Sequence, residues 1–449
     1  MYLLMFRQFL RTRTCQLGLA LALLLGLISI VTGKQFLNQQ EKVAAQVAEK
    51  QSGHIERNIR FHSDDLGLLL YYLKFTLVNK YDPLAALSIG QKDLNPSVQH
   101  VKILTLEGQK YDTDLVNPTK LLYGNLDLSF VLIYVFPLLI IAFTYNLRSE
   151  EEETGTWKIV SVMSTSKLKF LLSKLLVRLI LLLVLMIFLY LIASMVLNIP
   201  WGELSFAFFV MGLVYLLFWF SLSFWIISLK RASNFNALVL LSFWLTLVVL
   251  SPSLVNNIIT SQYPVPEALT TMIEQRDGYH KKWDMEKRGT MEKFYDRYPQ
   301  FKSYGYPPEE GFSWLWYYAM QHLGDEESRE ESASMQTKIM QRAHLSRKWA
   351  KFVPSMHTQL VFNDIAGTSL INHLNFLQHT NTFHENTRLY FYPKIFSQVT
   401  AEEVNWDLFK PVYFKDEKRS FDWWGSLVPL CVGIMLFLGL SGLSIRTEM

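Results

Sequence analysis

Residues 126–146 read LDLSFVLIYVFPLLIIAFTYN, an almost entirely apolar stretch whose single charged residue is Asp127. A helix of about 20 residues crosses the hydrocarbon core of a bilayer, so this stretch is long enough to be a transmembrane helix. Five other stretches share its length and apolar character: 16–32, 175–198, 205–229, 235–255 and 422–445. The sequence therefore predicts an all-α integral membrane protein with six transmembrane helices.

The composition of the 449-residue chain excludes several classes of protein. Half of the residues are hydrophobic and 18% are charged, which is too apolar for a disordered or nucleic-acid-binding chain. A mean hydropathy of +0.16 is too low for a chain embedded throughout, so large polar segments must accompany the spans. The net charge of +4 does not favour a polyanionic partner, and the two cysteines, Cys15 and Cys431, exclude a disulfide framework.

Positive charges predict the orientation of the chain. The segments assigned to the cytosol hold these basic residues: Arg7, Arg11, Arg13, Arg148, Lys158, Lys167, Lys169, Lys174, Lys230, Arg231 and Arg446. The short loop IPWGEL at 199–204, on the other side, has no lysine or arginine, as the positive-inside rule requires. We therefore expect a bacterial cytoplasmic-membrane protein with both termini in the cytosol. No small-x-small cleavage site follows the first span, which predicts an uncleaved signal-anchor.

This topology divides the chain into five parts. They are the entry helix and first span at 1–33, a first extracytoplasmic insertion at 34–125, four spans at 126–255 with a cytosolic loop at 147–174, a second extracytoplasmic insertion at 256–421, and the sixth span with the cytosolic C-terminus at 422–449.

The second insertion is expected to be mainly helical. Its charged stretch at 272–298 predicts a long solvated helix, which the prolines and glycines of YGYPPEEGFSW at 304–314 end. A second helix is predicted over 323–352 and a third over 360–391. The third has apolar residues at helical spacing: Leu360, Val361, Ile365, Leu370, Ile371 and Leu374. No long alternating run predicts a sheet, so the extracytoplasmic domain is expected to be large and mainly helical.

Three motifs carry a resemblance to a known family. They are DPLAALSIGQKDLNPS at 82–97, the second span with the SEEEETGTWK that follows it, and FNDIAGTSLINHLNF at 362–376. An acidic cluster, then Gly-Thr and a large apolar residue, then a lysine opening the next span, resembles the permeases of type-2 ABC exporters. The matching positions are Glu151, Glu153, Gly155, Thr156, Trp157 and Lys174.

The resemblance is to a branch with two long extracytoplasmic insertions, usually grouped with permeases linked to multicopper-enzyme maturation. It covers most of the chain and is sharp over 81–182 and 352–395. It implies that a separate ABC ATP-binding subunit holds ATP and Mg²⁺, and that two permease copies or paralogues pair. For five outer motif positions it implies packing or partner contact and not catalysis: Pro354, Gly367, Thr368, His373 and Phe376. Trp157 departs from the family pattern, which usually has an aliphatic residue there.

The chain itself has no motif for binding ATP or for hydrolytic catalysis. GLISIVTGKQ at 26–35 has the wrong glycine spacing for a phosphate-binding loop, and HENTR at 384–388 lacks the last histidine of a zincin motif. We therefore expect no enzyme activity, no cofactor and no metal site in this chain. All ten histidines fall in the insertions on this topology, so a copper site is the alternative to ordinary packing.

The loop at 147–174 is the expected contact with the ATPase, and a passive solvated loop is the alternative. Gly155 suits a sharp change of direction, and Thr156 is expected to cap the next helix by accepting a backbone N–H. The carboxylates of Glu150–Glu153 are expected to be available to basic groups of the ATPase. Trp157 is expected to supply a large apolar anchor.

Two features of the spans concern packing. Gly18, Ala22 and Gly26 lie on one helix face, where small residues allow close approach of a second helix. That helix belongs either to a second permease or to the same bundle. Pro137 is expected to kink the second span, so that side chains nearby must satisfy the carbonyl it frees.

Two functions fit these observations. The first is the membrane subunit of an ABC exporter, which couples ATP hydrolysis by its partner to export or to mechanical work. The second is a non-transporting sensor or scaffold whose extracytoplasmic domain binds a partner. Apart from Arg178 the spans hold almost no ionisable groups, which disfavours an ion-coupled carrier. The expected contacts are the ATPase, a second permease, membrane lipid and an extracytoplasmic partner, with no nucleic acid.

Overall fold

The computed structural model describes residues 2–110, 125–163, 166–265, 283, 285–416 and 419–446. The described chain is mostly helical and includes one small sheet. Its helices are α1 (Tyr2–Leu10), α2 (Arg13–Phe61), α3 (Leu66–Tyr72), α4 (Glu107–Lys110), α5 (Leu128–Glu153), α6 (Trp157–Met163), α7 (Lys167–Leu197), α8 (Glu203–Ser228), α9 (Ser233–Gln262), α10 (Lys287–Arg297), α11 (Trp314–Ala350), α12 (Pro354–Ala366), α13 (Leu370–Phe396) and α14 (Trp423–Arg446). The strands are β1 (Phe75–Asn79), β2 (Val98–Val101) and β3 (Val412–Phe414).

Within the described residues, six helices are long and apolar enough to cross a membrane: α2, α5, α7, α8, α9 and α14. They coincide with the six predicted spans, so a multi-pass membrane protein is confirmed at that level. Helices α5 and α8 lie in the centre of the bundle and are mostly buried, whereas little of α9 and α14 is buried. Their exposed residues, such as Leu238, Leu254 and Met435, are apolar, as expected for surfaces that face lipid.

Helix α2 is much longer than the first predicted span. It continues for 49 residues without a break, so the boundary expected between residues 33 and 34 lies inside one helix. The stretch that follows this boundary, NQQEKVAAQVAEKQ, holds no proline or glycine and is rich in helix-forming residues, which explains why the helix continues. Cys15 and Ile30 of α2 pack in the core of the bundle, and Ile55 packs in the core of the insertions.

Pro137 interrupts α5 as predicted, and side chains take up the freed carbonyls. The helix widens to a π-helical turn over Val131–Val135, immediately before the proline. The buried hydroxyl of Tyr215 donates a hydrogen bond to the carbonyl of Ile133 at 3.1 Å. The indole N–H of Trp244 donates to the carbonyl of Tyr134 at 3.3 Å. Both bonds satisfy groups that lipid could not.

The two insertions pack into one domain, called the insertion domain below: residues 34–110 and 285–416, apart from α12, which packs on the bundle. Its core is rich in aromatic side chains, among them Phe75, Phe294, Tyr318 and Phe391, all almost completely buried. A three-stranded sheet in the order β2-β1-β3 joins the insertions, since β1 and β2 come from the first and β3 from the second.

The mostly helical fold agrees with the all-α prediction, and the small sheet is an addition that the sequence did not predict. Strand β1 pairs antiparallel with β2 and parallel with β3, where Leu77 lies opposite Val412. All five residues of β1 are buried, so the strand shows no alternation of apolar and polar residues. A short strand buried on both faces gives no periodic signal in the sequence.

The helices of the second insertion differ from the predicted ones in two places. The helix predicted over 360–391 is two helices, α12 and α13, because Gly367 adopts φ +68° and ends the first. Much of the helix predicted over 272–298 lies outside the described residues. Its described part, α10, is not fully solvated, because Met291 and Phe294 are completely buried. The helix predicted over 323–352 is confirmed within α11.

Candidate functional site

Helix α5 ends in the loop at 147–174, and Gly155 makes the turn into α6. Its φ is +78°, a backbone conformation that residues other than glycine adopt only at an energetic cost. A Cβ atom at this position would meet nothing within 4 Å. The conformation, and not a lack of space, therefore requires glycine. This agrees with the change of direction expected from the sequence.

Three of the predicted loop residues meet at one carboxylate. The ammonium group of Lys174 and the hydroxyl of Thr156 both donate to the side chain of Glu151. The Thr156 hydroxyl also lies 3.2 Å from the Glu151 carbonyl, so it closes the end of α5, a different use from the predicted cap on α6. The contact fastens the loop to the first turns of α7.

The other carboxylates of the acidic run also have partners within the chain. Arg148 pairs with Glu152 at 2.7 Å, and Glu153 accepts the backbone N–H of Ser233 at 3.1 Å, at the start of α9. Glu150 accepts the side-chain amide of Asn146 at 2.9 Å. All four carboxylates therefore help to shape the loop, and Glu150, Glu152 and Glu153 are also exposed at its surface.

Trp157 points toward the bundle. It packs against Leu147, Leu171 and Ile227, and the guanidinium of Arg148 lies 5.0 Å from the ring centroid. The exposed apolar side chains of α6 are instead Ile159, 61% exposed, and Val162, 85% exposed. Their spacing of three residues on a short helix could have indicated an exposed apolar face. The sequence instead favoured Trp157 as the anchor because of its size.

The small residues of α2 pack against other helices of the same chain. A Cβ atom on Gly18 would lie 2.9 Å from the ring of Phe143, and one on Gly26 would lie 2.6 Å from Leu189. Ala22, between them, is fully buried. Of the two alternatives that the sequence left open, this face forms packing within one bundle.

At the opposite end of α5, the three motifs of the family resemblance meet in a buried cluster, called the junction below: Ser88, Asp127, Ser129, Asn363 and Thr368. The Ser88 hydroxyl lies 2.7 Å from Asn363 Oδ1 and 3.2 Å from Ser129 Oγ. The Thr368 hydroxyl donates to the Ser88 carbonyl at 2.8 Å. None of these side chains is more than 8% exposed.

Asp127 joins the membrane helix to the first insertion. Its carboxylate accepts the backbone N–H of Phe130 at 2.8 Å, which caps α5, and the N–H of Ile89, also at 2.8 Å. It also accepts the hydroxyl of Ser129 at 2.7 Å. A single buried carboxylate therefore holds two chain segments, a role that the sequence did not predict.

Glycines allow the segments of the junction to approach. Gly90 has φ +56°, and a Cβ atom there would lie 2.7 Å from Thr368 Oγ1. Gly33 of α2 faces the Ala86 carbonyl, which a Cβ atom would approach to 2.5 Å. The loop at 82–97 is thus held between α2 and the α12–α13 turn. Arg419 pairs with Asp82 at 3.1 Å and so closes this side of the junction.

Helix α12 docks the insertion domain on the membrane helices. Phe362 stacks on Phe208 of α8 with ring centroids 4.1 Å apart. Ser355 donates to the carbonyl of Leu247, within the π-helical turn of α9. His357 Nε2 lies 2.7 Å from the carbonyl of Ser426 in α14. Among the family positions, Pro354 begins α12 and Phe376 is fully buried in the insertion-domain core.

Two ionisable side chains beside the junction, Lys92 and His373, have lowered pKa values. Burial, reinforced by Arg419, lowers the pKa of Lys92 to about 7, although Asp416 opposes the shift. The ammonium lies 4.0 Å from the ring centroid of Tyr81. Burial next to Lys92 likewise lowers the pKa of His373 to about 4, so that its imidazole is neutral near pH 7.

Two further histidines of the insertion domain have pKa values low enough to be neutral near pH 7. Burial lowers the pKa of His322 to about 2, and it lowers that of His384 far below its usual value. Within the described parts of the chain, no three or more His, Cys, Asp or Glu side chains are grouped so that they could hold a metal ion. The structure therefore offers no argument for the copper alternative.

A family model described as a domain of unknown function (DUF3526) matches residues 269–414, about the extent of the second insertion. The match includes α10 to α13, β3 and the motif FNDIAGTSLINHLNF. No curated protein and no solved structure matches the chain. The fold and the site together define a multi-pass membrane protein with a domain on one end of its bundle and a structured loop on the other.

Proposed function

We propose that this chain is the membrane subunit of a type-2 ABC exporter. In this proposal the loop at 147–174 lies in the cytosol and contacts a separate ATPase, and the insertion domain lies outside the cytoplasmic membrane. Two copies or paralogues pair, and ATP hydrolysis by the partner drives export or mechanical work.

One observation carries the proposal. The residues that match the exporter pattern, Glu151, Thr156 and Lys174, converge to support a short helix whose apolar side chains face outward. A passive solvated loop has no need of that support, and exposed apolar groups on a fixed helix are typical of a protein interface. The basic residues of the adjoining loops support a cytosolic location.

The path of α5 supports a mechanical link. Asp127 caps its first turn in the junction, and Glu151 lies in its last turn at the loop. Displacement of the loop by an ATPase is therefore transmitted along one helix to the contact with the insertion domain. The exposed pair on α6 is the surface that the ATPase would engage, and Trp157 holds that surface to the bundle.

The test is purification of the chain with its ATPase from the native membrane, followed by ATPase assays in reconstituted membranes. We expect Ile159→Ser and Val162→Ser each to weaken the association at least about tenfold. Each variant removes an apolar side chain that the bound ATPase would bury, a contact worth about 1.5 kcal/mol or more. Leu408→Ser is the matched control, because Leu408 is 63% exposed and lies in the insertion domain. Association unchanged in both α6 variants would exclude this helix as the docking surface.

Trp157→Ala and Gly155→Val test the same proposal through the geometry of the loop. Both are expected to uncouple hydrolysis from the membrane subunit or to weaken association, with normal membrane insertion. Wild-type binding and hydrolysis in both variants would remove the main support for the exporter. A chain that purifies without any ATPase would favour the competing function, a sensor or scaffold whose insertion domain binds a partner.

A further inference from the structure

The insertion domain contains a polar cavity of about 310 Å³ between α4, α11 and α13. Ligand sites for small molecules begin at about this volume. Nine charged or amide side chains line the cavity: Glu107, Lys110, Asp325, Arg329, Gln336, Gln378, Asn381, Glu385 and Arg388. The cavity lies apart from the junction and from the loop at 147–174, and neither the fold nor the proposed function accounts for it.

The back of the cavity is a rigid and fully satisfied ion pair. Arg388 and Asp325 lie 2.7 Å apart and are almost completely buried. Arg388 also donates to the carbonyl of Ile103 at 2.9 Å, and Asp325 accepts the backbone N–H of Leu106 at 2.6 Å. These bonds hold the chain segment that leads into α4, so the pair shapes the cavity without being free to bind a ligand.

Two hydrogen-bond acceptors at the cavity have no donor among the residues that the structure describes. Glu107 is 7% exposed, and its Oε1 accepts the ammonium of Lys110 at 2.6 Å, but its Oε2 has no partner among the described residues. The side-chain oxygen of Asn381 is likewise buried without a described donor. A buried acceptor left unsatisfied costs about 1–3 kcal/mol, so the site calls for a ligand that donates hydrogen bonds, and one of the acceptors is anionic.

An ammonium group satisfies this requirement better than a metal ion. A metal ion is bound by several side chains at once, and the described residues provide no such group of ligands. Arg329 supplies the opposite charge on the cavity wall. Its side chain is exposed, and it forms no hydrogen bond or ion pair with any described residue. A guanidinium binds a carboxylate through two parallel hydrogen bonds.

We propose that this cavity binds a small zwitterion of the amino-acid class, with its ammonium on Glu107 and Asn381 and its carboxylate on Arg329. The same chemistry belongs to a free amino acid and to a short peptide. The charged side chains of the lining are three acidic and three basic, so their charges cancel, which favours a ligand without net charge. The inference assigns a site in the insertion domain and does not depend on the proposed ATPase partner.

The experiment is isothermal titration calorimetry of the full chain in lipid nanodiscs. The probes are each protein amino acid in turn, diglycine, and two analogues that carry one charge each, butylamine and butyrate. We expect at least one zwitterion to bind at least about tenfold more tightly than either analogue. Preference for diglycine would identify a peptide as the ligand, and preference for a free amino acid would identify the monomer. Absence of binding by every zwitterion at millimolar concentration would overturn the proposal.

Two variants test which side chain holds the ammonium of the zwitterion and which holds its carboxylate. Glu107→Gln should weaken binding of the zwitterion at least about tenfold by removing the anion that faces the ammonium. Arg329→Gln, on an exposed side chain that does not contribute to the core, should weaken the zwitterion by a similar factor and leave the binding of butylamine unchanged. Glu309→Gln, on an exposed carboxylate outside the cavity, is the control. Unchanged binding in the Arg329 variant would show that the carboxylate is not held there and would overturn the assignment.

Discussion

The loop at 147–174 and the junction lie at the two ends of α5, and each contains residues of the family motifs, but they are built differently. In the loop, many hydrogen bonds join residues close in sequence, such as Asn146 with Glu150 and Thr156 with Glu151, and the longer-range bond of Glu153 with Ser233 also lies at an exposed surface. In the junction, Ser88 and Asn363 are 275 residues apart and buried. Local, exposed contacts open at low cost, whereas a buried network opens only with the fold. In the proposed function, this difference would suit a loop that adapts to the ATPase and a junction that transmits movement.

The largest effect that would separate the two regions is expected from Asp127→Ala. The change leaves the N–H groups of Ile89 and Phe130 without their acceptor, and the lost cap and the buried donors together should lower the free energy of unfolding by about 3 kcal/mol. The measurement is chemical unfolding of the purified chain in mixed micelles. The control Asp64→Ala, which removes an exposed carboxylate, should change the free energy of unfolding by less than about 0.5 kcal/mol. Equal stability of the two variants would mean that the junction contributes little.

A matched pair of glycine substitutions compares the regions directly. Gly90→Ala and Gly155→Ala both place a side chain at positive φ, which costs about 1 kcal/mol. Only Gly90→Ala also forces a Cβ atom against Thr368 and Asn363, which adds about 1–2 kcal/mol. We therefore expect the junction variant to be clearly less stable in the same unfolding assay. A larger loss in the Gly155 variant would reverse the comparison.

The pH dependence of stability sharpens the description of the junction. Lys92 has a pKa of about 7 in the folded chain, below that of an unfolded lysine, so the unfolded state binds more protons above that pH. Stability should therefore rise by about 1 kcal/mol from about pH 6 to about pH 8 through this group. Lys92→Met should remove this contribution to the rise in stability with pH. Lys410→Met, the control at an exposed lysine, should leave the rise unchanged. A rise unchanged in the Lys92 variant would assign it to another group.

The smallest effect is expected in the loop. Thr156→Val removes exposed hydrogen bonds to Glu151, and Lys174 remains as a partner of that carboxylate. The free energy of unfolding should fall by no more than about 0.5 kcal/mol, because water replaces the lost bonds. A loss as large as that of Asp127→Ala, measured in the same micelles, would show that the loop is as rigid as the junction.

The sequence by itself determined the features that arise from neighbouring residues. Long apolar runs located all six membrane-length helices, because a helix in lipid must be apolar along its whole length. The glycine at 155 and the proline at 137 restrict the backbone locally, so the turn and the interrupted helix could be predicted. The sequence also predicted that a side chain must donate a hydrogen bond to the carbonyl freed by the proline. It did not predict that Tyr215 would be the donor.

The tertiary structure decided which residues meet. Asp127, Ser88 and Asn363 occur in three separate motifs, and only the packing of the loop at 82–97 between α2 and the α12–α13 turn brings them together. It also decided that Glu151 pairs with Lys174, that Trp157 faces the bundle and leaves Ile159 exposed, and that β1 is a strand. Hydrophobic patterns report whether a position is buried, but the partner of a buried polar group depends on segments hundreds of residues away, which local patterns do not encode.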